Sequence, residues 1–190
     1  MQRYTSGNAG GVANSGPPFV PLSLTLYNPF YLVWAAREHH LNVKFIELAS
    51  EVNESMPRYV VSRVSYFLNQ RGKALKESSI LVVGVAYKKD VDDLRESPAI
   101  RVIELLQQAG AEVSYHDPYV PQFPRLRAHD IHLSSVPLTA EALAACDCAL
   151  ILTDHSDVDW QLVVQHAPLV VDTRHVVRQG PAGPDHVFGA

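Results

Sequence analysis

Cysteine is scarce in this chain of 190 residues: only Cys146 and Cys148 occur, one residue apart. A C-x-C pair with no second pair, and no histidine at ligand spacing, is not a zinc site, and its adjacent geometry disfavours a mutual disulfide. The two are expected to be reduced packing residues, which suits a reducing compartment. Long apolar runs are also missing. No stretch approaches the roughly 18 residues of a membrane span, and the N-terminus lacks the charged-then-apolar order of a secretory signal, so a soluble protein of the cytoplasm is expected. Positive charge is in deficit, with 16 Lys and Arg against 20 Asp and Glu and a net charge of −4. Phosphate neutralisation along a nucleic acid needs a dense basic face, so nucleic acid is not an expected partner. A small anion needs only two or three local cations and stays open. The nine histidines show no i, i+4 pair with an acid between them, so no metal site is expected.

The chain does have a core-forming composition, 47% hydrophobic, organised in successive stretches. Residues 1–28, rich in Gly, Pro, Ser and Asn, show no sustained period and are read as disordered or unrelated to the rest of the chain. Residues 29–76 form a helical segment. A short amphipathic helix begins at Pro29, and a long one covers about 43–69, with Leu48, Val52, Met56, Tyr59 and Val60 among the apolar positions of a three-and-four spacing. A stripe of that length either packs within the chain or seals a dimer. Pro57 inside it predicts a kink, and Gly72 a C-cap.

From Ser79 onward apolar Val, Ile and Leu runs alternate with helical patterns: strands at 80–86, 112–116, 148–153 and 169–172, helices at 98–109, 139–146 and 158–166. That alternation predicts an α/β fold, a Rossmann-like doubly wound parallel sheet covering 77–178, with 179–190 as a loose tail. The dinucleotide fingerprint is missing, because a single Gly84 comes after the first strand where G-x-G-x-x-G is needed for close approach to a pyrophosphate. In its place the strand runs into YKKDVDDLRESP, a densely charged loop at a strand's carboxyl end, where open α/β sheets bind ligands. Arg174 comes after the last strand, on the same edge of a parallel sheet. Lys88 and Arg174 are therefore candidates to converge on an anion the size of a diphosphate, unless the lysines only neutralise Asp90, Asp92 and Asp93. Asp117 is read as a turn residue before Pro118.

YKKDVDDLRESP, with HDPYVP at 116–121, TDHSDVDW at 153–160 and VVDTR at 170–174, resembles the C-terminal domain of the nucleotide-sugar 6-dehydrogenases. NPFYL at 28–32 and FIELASEVNESMPRYVV at 45–61 resemble that family's central helical region. The wording is nearest to the members acting on UDP-glucose and UDP-N-acetylglucosamine. The resemblance implies oxidation of a nucleotide sugar to its uronic acid with two NAD. It also implies contact of Lys88 and Arg174 with the UDP-sugar, a role for Arg95 toward NAD held by another Rossmann domain, and dimerisation through the long helix.

The departures qualify that expectation. The family's segment GGHC-x-P-x-DPFYL supplies a cysteine nucleophile and an aspartate, but the same register here places Leu24 and Asn28 at those positions. Leucine forms no thiohemiacetal and a neutral amide is no base. The family's NAD domain has no counterpart, and residues 1–28 read as unrelated sequence joined to a C-terminal half, as a truncated or frameshifted gene would give. Three readings are open: a fragment keeping part of a UDP-sugar site but inactive alone, half of a split enzyme completed by a separate NAD-domain chain, or a non-enzymatic dimerisation or regulatory module.

Overall fold

The computed structural model describes residues 44–124, 131–177 and 185–190. The expected short helix from Pro29, and Leu24 and Asn28, lie outside them. The chain divides into two compact units, Met1–Val52 and Asn53–Ala190. Of the first, the described residues are the opening turns of helix α1 (Lys44–Gln70), where Ser50 is buried and its hydroxyl donates to the carbonyl of Ile46 at 2.9 Å.

The second unit is organised by five parallel strands: β1 (Ser79–Val83), β2 (Glu112–His116), β3 (Cys148–Ile151), β4 (Val170–Asp172) and β5 (Val187–Gly189). Their spatial order is β2-β1-β3-β4-β5. The central strands are apolar on both sides because both sides are covered, and successive side chains of a strand face opposite ways. Ile80, Val82 and Leu150 join Val64 and Leu68 of α1, and Ile103 and Leu106 of helix α2 (Pro98–Gln108), in one cluster. Leu81, Val83 and Ile151 join Leu143 of helix α3 (Ala140–Ala145) and Val163 of helix α4 (Trp160–His166) in the other. This is the doubly wound arrangement the alternation predicts.

Helix α1 continues through Pro57 without interruption. It ends as its sequence predicts: Gly72 takes φ +71, its N–H donates to the carbonyl of Asn69 at 3.0 Å, and that of Lys73 donates to the carbonyl of Leu68 at 3.0 Å. Lys73 then pairs with Asp147, whose other oxygen accepts from the Ser79 N–H at 2.9 Å, fixing the helix end to the amino edge of the sheet. The two thiols fall on opposite sides of the sheet, Cys148 in the first cluster and Cys146 in the second, and both are free and buried.

One expectation needs correcting. Part of the stretch 179–190, read as a loose tail, forms β5, which pairs in parallel with β4 from Val170 opposite Val187 to Asp172 opposite Gly189. Phe188 supplies the reason, since its ring stacks on Phe67 of α1 with centroids 4.1 Å apart.

Candidate functional site

The chain winds from β1 outward to β2 and returns to β3 on the other side of β1, so the order of strands reverses between β1 and β3. The helices that follow those two strands, α2 and α4, cover opposite sides of the sheet, and such a reversal marks the edge at which open α/β sheets hold ligands.

On the β1 side the loop is built by local exchange of hydrogen bonds. Gly84 takes φ +79, and a Cβ on it would lie 2.3 Å from the carbonyl oxygen of Thr153, so glycine is required both by conformation and by space. The next two residues are clamped. Val85 and Ala86 N–H groups donate to one oxygen of Asp117 at 2.7 and 3.2 Å, the Ser97 hydroxyl donates to the carbonyl of Val85 at 2.7 Å, and the Thr153 hydroxyl donates to that of Ala86 at 2.6 Å. The Tyr87 N–H then donates to the carbonyl of Asp93 at 2.7 Å, which closes residues 88–92 into an exposed loop.

Lys88 lies in this loop with its ammonium 5.4 Å from the Tyr87 ring centroid. Asp90, at φ +57, accepts from the Ser156 N–H at 2.7 Å and from its hydroxyl at 2.8 Å, and the Ser156 backbone bond above all holds its carboxyl below the usual carboxylate range. Arg95 is 85% exposed and grips the Asp93 carboxylate through Nε and Nη2, each at 3.0 Å, which lowers the Asp93 pKa and raises its own.

On the β4 side, Asp172 is buried and shapes the turn after the strand: one oxygen accepts from the Arg174 N–H and the other from the Val177 N–H, both at 2.9 Å. Arg174 leans back toward β3 and donates from Nε to the carbonyl of Leu152 at 2.7 Å. Its two Nη groups have no hydrogen-bond partner among the described residues. Lys88 and Arg174 thus both stand at the carboxyl edge, on loops leaving strands that flank β3. β1 and β4 are separated by two strand spacings, roughly 10 Å.

Two residues beneath this edge were not singled out as site residues by their sequence. Asp117 is 2% exposed and accepts five hydrogen bonds: those of Val85 and Ala86, the Tyr119 and Val120 N–H groups at 2.9 and 3.0 Å, and the Nε2 of His155 at 3.0 Å. Burial pushes its carboxyl up, but the His155 bond and the backbone donors of Val85 and Tyr119 outweigh that and hold it below the usual range. The turn expected at Asp117-Pro118 is there, and the other carboxylate oxygen does the additional work of clamping the β1 loop. His155 is fully buried and accepts at Nδ1 from the Asp90 N–H at 2.9 Å, so its proton is on Nε2, facing Asp117. The signal for both was an acid or a histidine one to four residues past a strand's carboxyl end.

Residues 81–179, just over half of the chain, match the model of the UDP-glucose/GDP-mannose dehydrogenase family, UDP binding domain. The chain is 34% identical over 152 residues to a UDP-N-acetyl-D-mannosamine dehydrogenase of Methanococcus maripaludis, covering 76% of this chain and 33% of that protein. It is 31% identical over 153 residues to a UDP-glucose 6-dehydrogenase of Rhizobium meliloti, covering 78% and 34%. The solved structure of a UDP-D-ManNAc dehydrogenase from Pyrococcus horikoshii superposes with a TM-score of 0.62 at 26% identity, over 78% of this chain and 34% of that one. The chain spans about a third of the length of the curated relatives it matches. By its UDP-binding domain, this chain belongs to the UDP-glucose/GDP-mannose dehydrogenase family.

Proposed function

We propose that this chain binds the uridine diphosphate portion of a nucleotide sugar at the carboxyl edge of its sheet, with Lys88 and Arg174 as the cations that take the diphosphate. The observation that carries this reading is the Arg174 side chain: Nε is spent on the carbonyl of Leu152, which leaves the paired Nη groups as a fork set for a phosphate. The family membership and the matched UDP-binding domain support it. Titration calorimetry with UDP tests it. Weak binding is expected, and it should fall on Lys88→Ala and on Arg174→Ala; no heat at millimolar UDP would remove the reading.

The residues around β1 do not fit a dinucleotide held on a glycine loop. Gly84 is packed against Thr153, Pro98 has no N–H to offer at the start of α2, and the Ala99 N–H is already taken by the Ser97 hydroxyl at 3.3 Å. We therefore place NAD on a separate Rossmann domain, with exposed Arg95 as the residue of this chain that reaches it. With Leu24 and Asn28 at the family's cysteine and aspartate positions, this chain alone should form no NADH from a UDP-sugar; measurable turnover would overturn that register.

Self-association through α1 is a second element of the proposal. Met56, Tyr59 and Tyr66 leave 40%, 47% and 51% of their surface exposed, large apolar side chains on a helix that buries Val60, Val64, Phe67 and Leu68 in the core. A second copy, or a chain that carries the NAD domain, would cover them.

A further inference from the structure

We infer that His155 is a positioning residue for nucleotide binding, holding the Lys88 loop in place through the Asp90 backbone; this rests on the proposal that Lys88 contacts the diphosphate.

Nothing about packing calls for a histidine there. The side chain is 0% exposed, and an apolar residue of similar volume would fill the space with no polar atoms to satisfy. What histidine supplies is two opposed functions at fixed separation. Nε2 donates to Asp117, which is anchored at the end of β2 and clamps Val85 and Ala86, while Nδ1 accepts from the Asp90 N–H. The imidazole is thus a strut from the buried, hydrogen-bonded floor of the site to the exposed loop above it.

Asp90 answers in the reverse direction, its carboxylate accepting from the N–H and hydroxyl of Ser156, the residue after His155. The loops after β1 and β3 are interlocked by three hydrogen bonds centred on Asp90, a non-glycine residue at φ +57 that such contacts must hold in place. Lys88 sits two residues earlier, on the span between this lock and the clamp at Val85 and Ala86. Its approach to a ligand is set by both.

Two conservative variants separate the strut's halves. Asparagine puts an oxygen where Nδ1 was and keeps the acceptor for Asp90; glutamine puts an amide nitrogen where Nε2 was and keeps only the donor to Asp117. Calorimetry with UDP should give His155→Asn an affinity within about threefold of the unaltered protein and His155→Gln a loss of about tenfold, the scale of one hydrogen bond. In a double-mutant cycle, Lys88→Ala should cost much less in the His155→Gln background than alone, because the lysine is already misplaced. A residue serving stability alone would leave that cycle additive. Amide exchange in the unaltered protein tests the strut even if the His155 variants fail to fold: the Asp90 N–H, bonded to His155, should exchange about tenfold more slowly than those of Lys89 and Val91 in the same loop.

Unchanged affinity in folded His155→Gln, or an additive cycle, would overturn this inference while leaving the UDP reading intact. Exchange at Asp90 as fast as at Lys89 and Val91 would overturn it independently. No heat with the unaltered protein would overturn both.

Discussion

Gly84 and Thr153 meet backbone to backbone: the place a side chain would start on the glycine is 2.3 Å from the carbonyl oxygen and 2.8 Å from the Cβ of the threonine. This contact fixes how closely the loops after β1 and β3 begin. Gly84→Ala meets unyielding backbone as well as a positive φ, and should lose about 3 kcal/mol or more of folding free energy in urea titrations. A loss below about 1 kcal/mol would mean that the two loops can part without cost.

Arg174→Lys should be nearly as damaging to UDP affinity as Arg174→Ala. A lysine ammonium can replace the Nε contact to Leu152 or offer charge to a phosphate, but not both, whereas the guanidinium divides these tasks among its nitrogens. Both variants should weaken UDP binding by about tenfold to a hundredfold, read by calorimetry, with little change in melting temperature. Full retention in Arg174→Lys would show that charge alone is sensed.

Acid should loosen the floor of the site. The Asp117 carboxyl titrates below its unfolded value, so its contribution to stability is complete above about pH 4, where an unfolded aspartate is ionised, and is lost as pH falls through the lower folded value. Unfolding free energy, measured by urea titration at fixed ionic strength, should therefore decrease from about pH 5 to about pH 3. Asp117→Asn should flatten part of that slope and cost about 3 kcal/mol at neutral pH, because an amide nitrogen would face N–H donors. A variant as stable as the parent at neutral pH would sink the account.

Charge placed on α1 should separate associated copies. Sedimentation velocity is expected to show a dimer for the unaltered protein and a monomer for Tyr59→Lys combined with Met56→Lys, with the melting behaviour of the sheet unit retained because neither residue belongs to the buried core. A monomer at all concentrations for the unaltered chain would leave the helix without this role.

Much of the fold was legible because its signals are local. Ile80 to Val83 lie in the apolar run read as a strand over 80–86, which ends at Val83 because Gly84 turns the chain at positive φ, and the helix read over 98–109 runs from Pro98 to Gln108. Strand β5 was not legible: three residues, Val187 to Gly189, carry no period, and they become a strand only because β4 offers an edge and Phe67 a ring to stack on. The site divides in the same way. Lys88 and Arg174 could be placed on one edge from strand ends alone, whereas Asp117, His155 and Asp90 are far apart in the chain and become partners only when the strand order, which pattern does not reveal, brings three loops together.

The two thiols offer a use of their own. Cys146 is 5% exposed and Cys148 0%, on opposite sides of the sheet, and burial drives both away from thiolate, Cys146 to about 11. A thiol-reactive dye added to the native protein would have nothing to attack until that layer opens, so labelling at each position is a stopwatch for the separate release of the two halves of the interior.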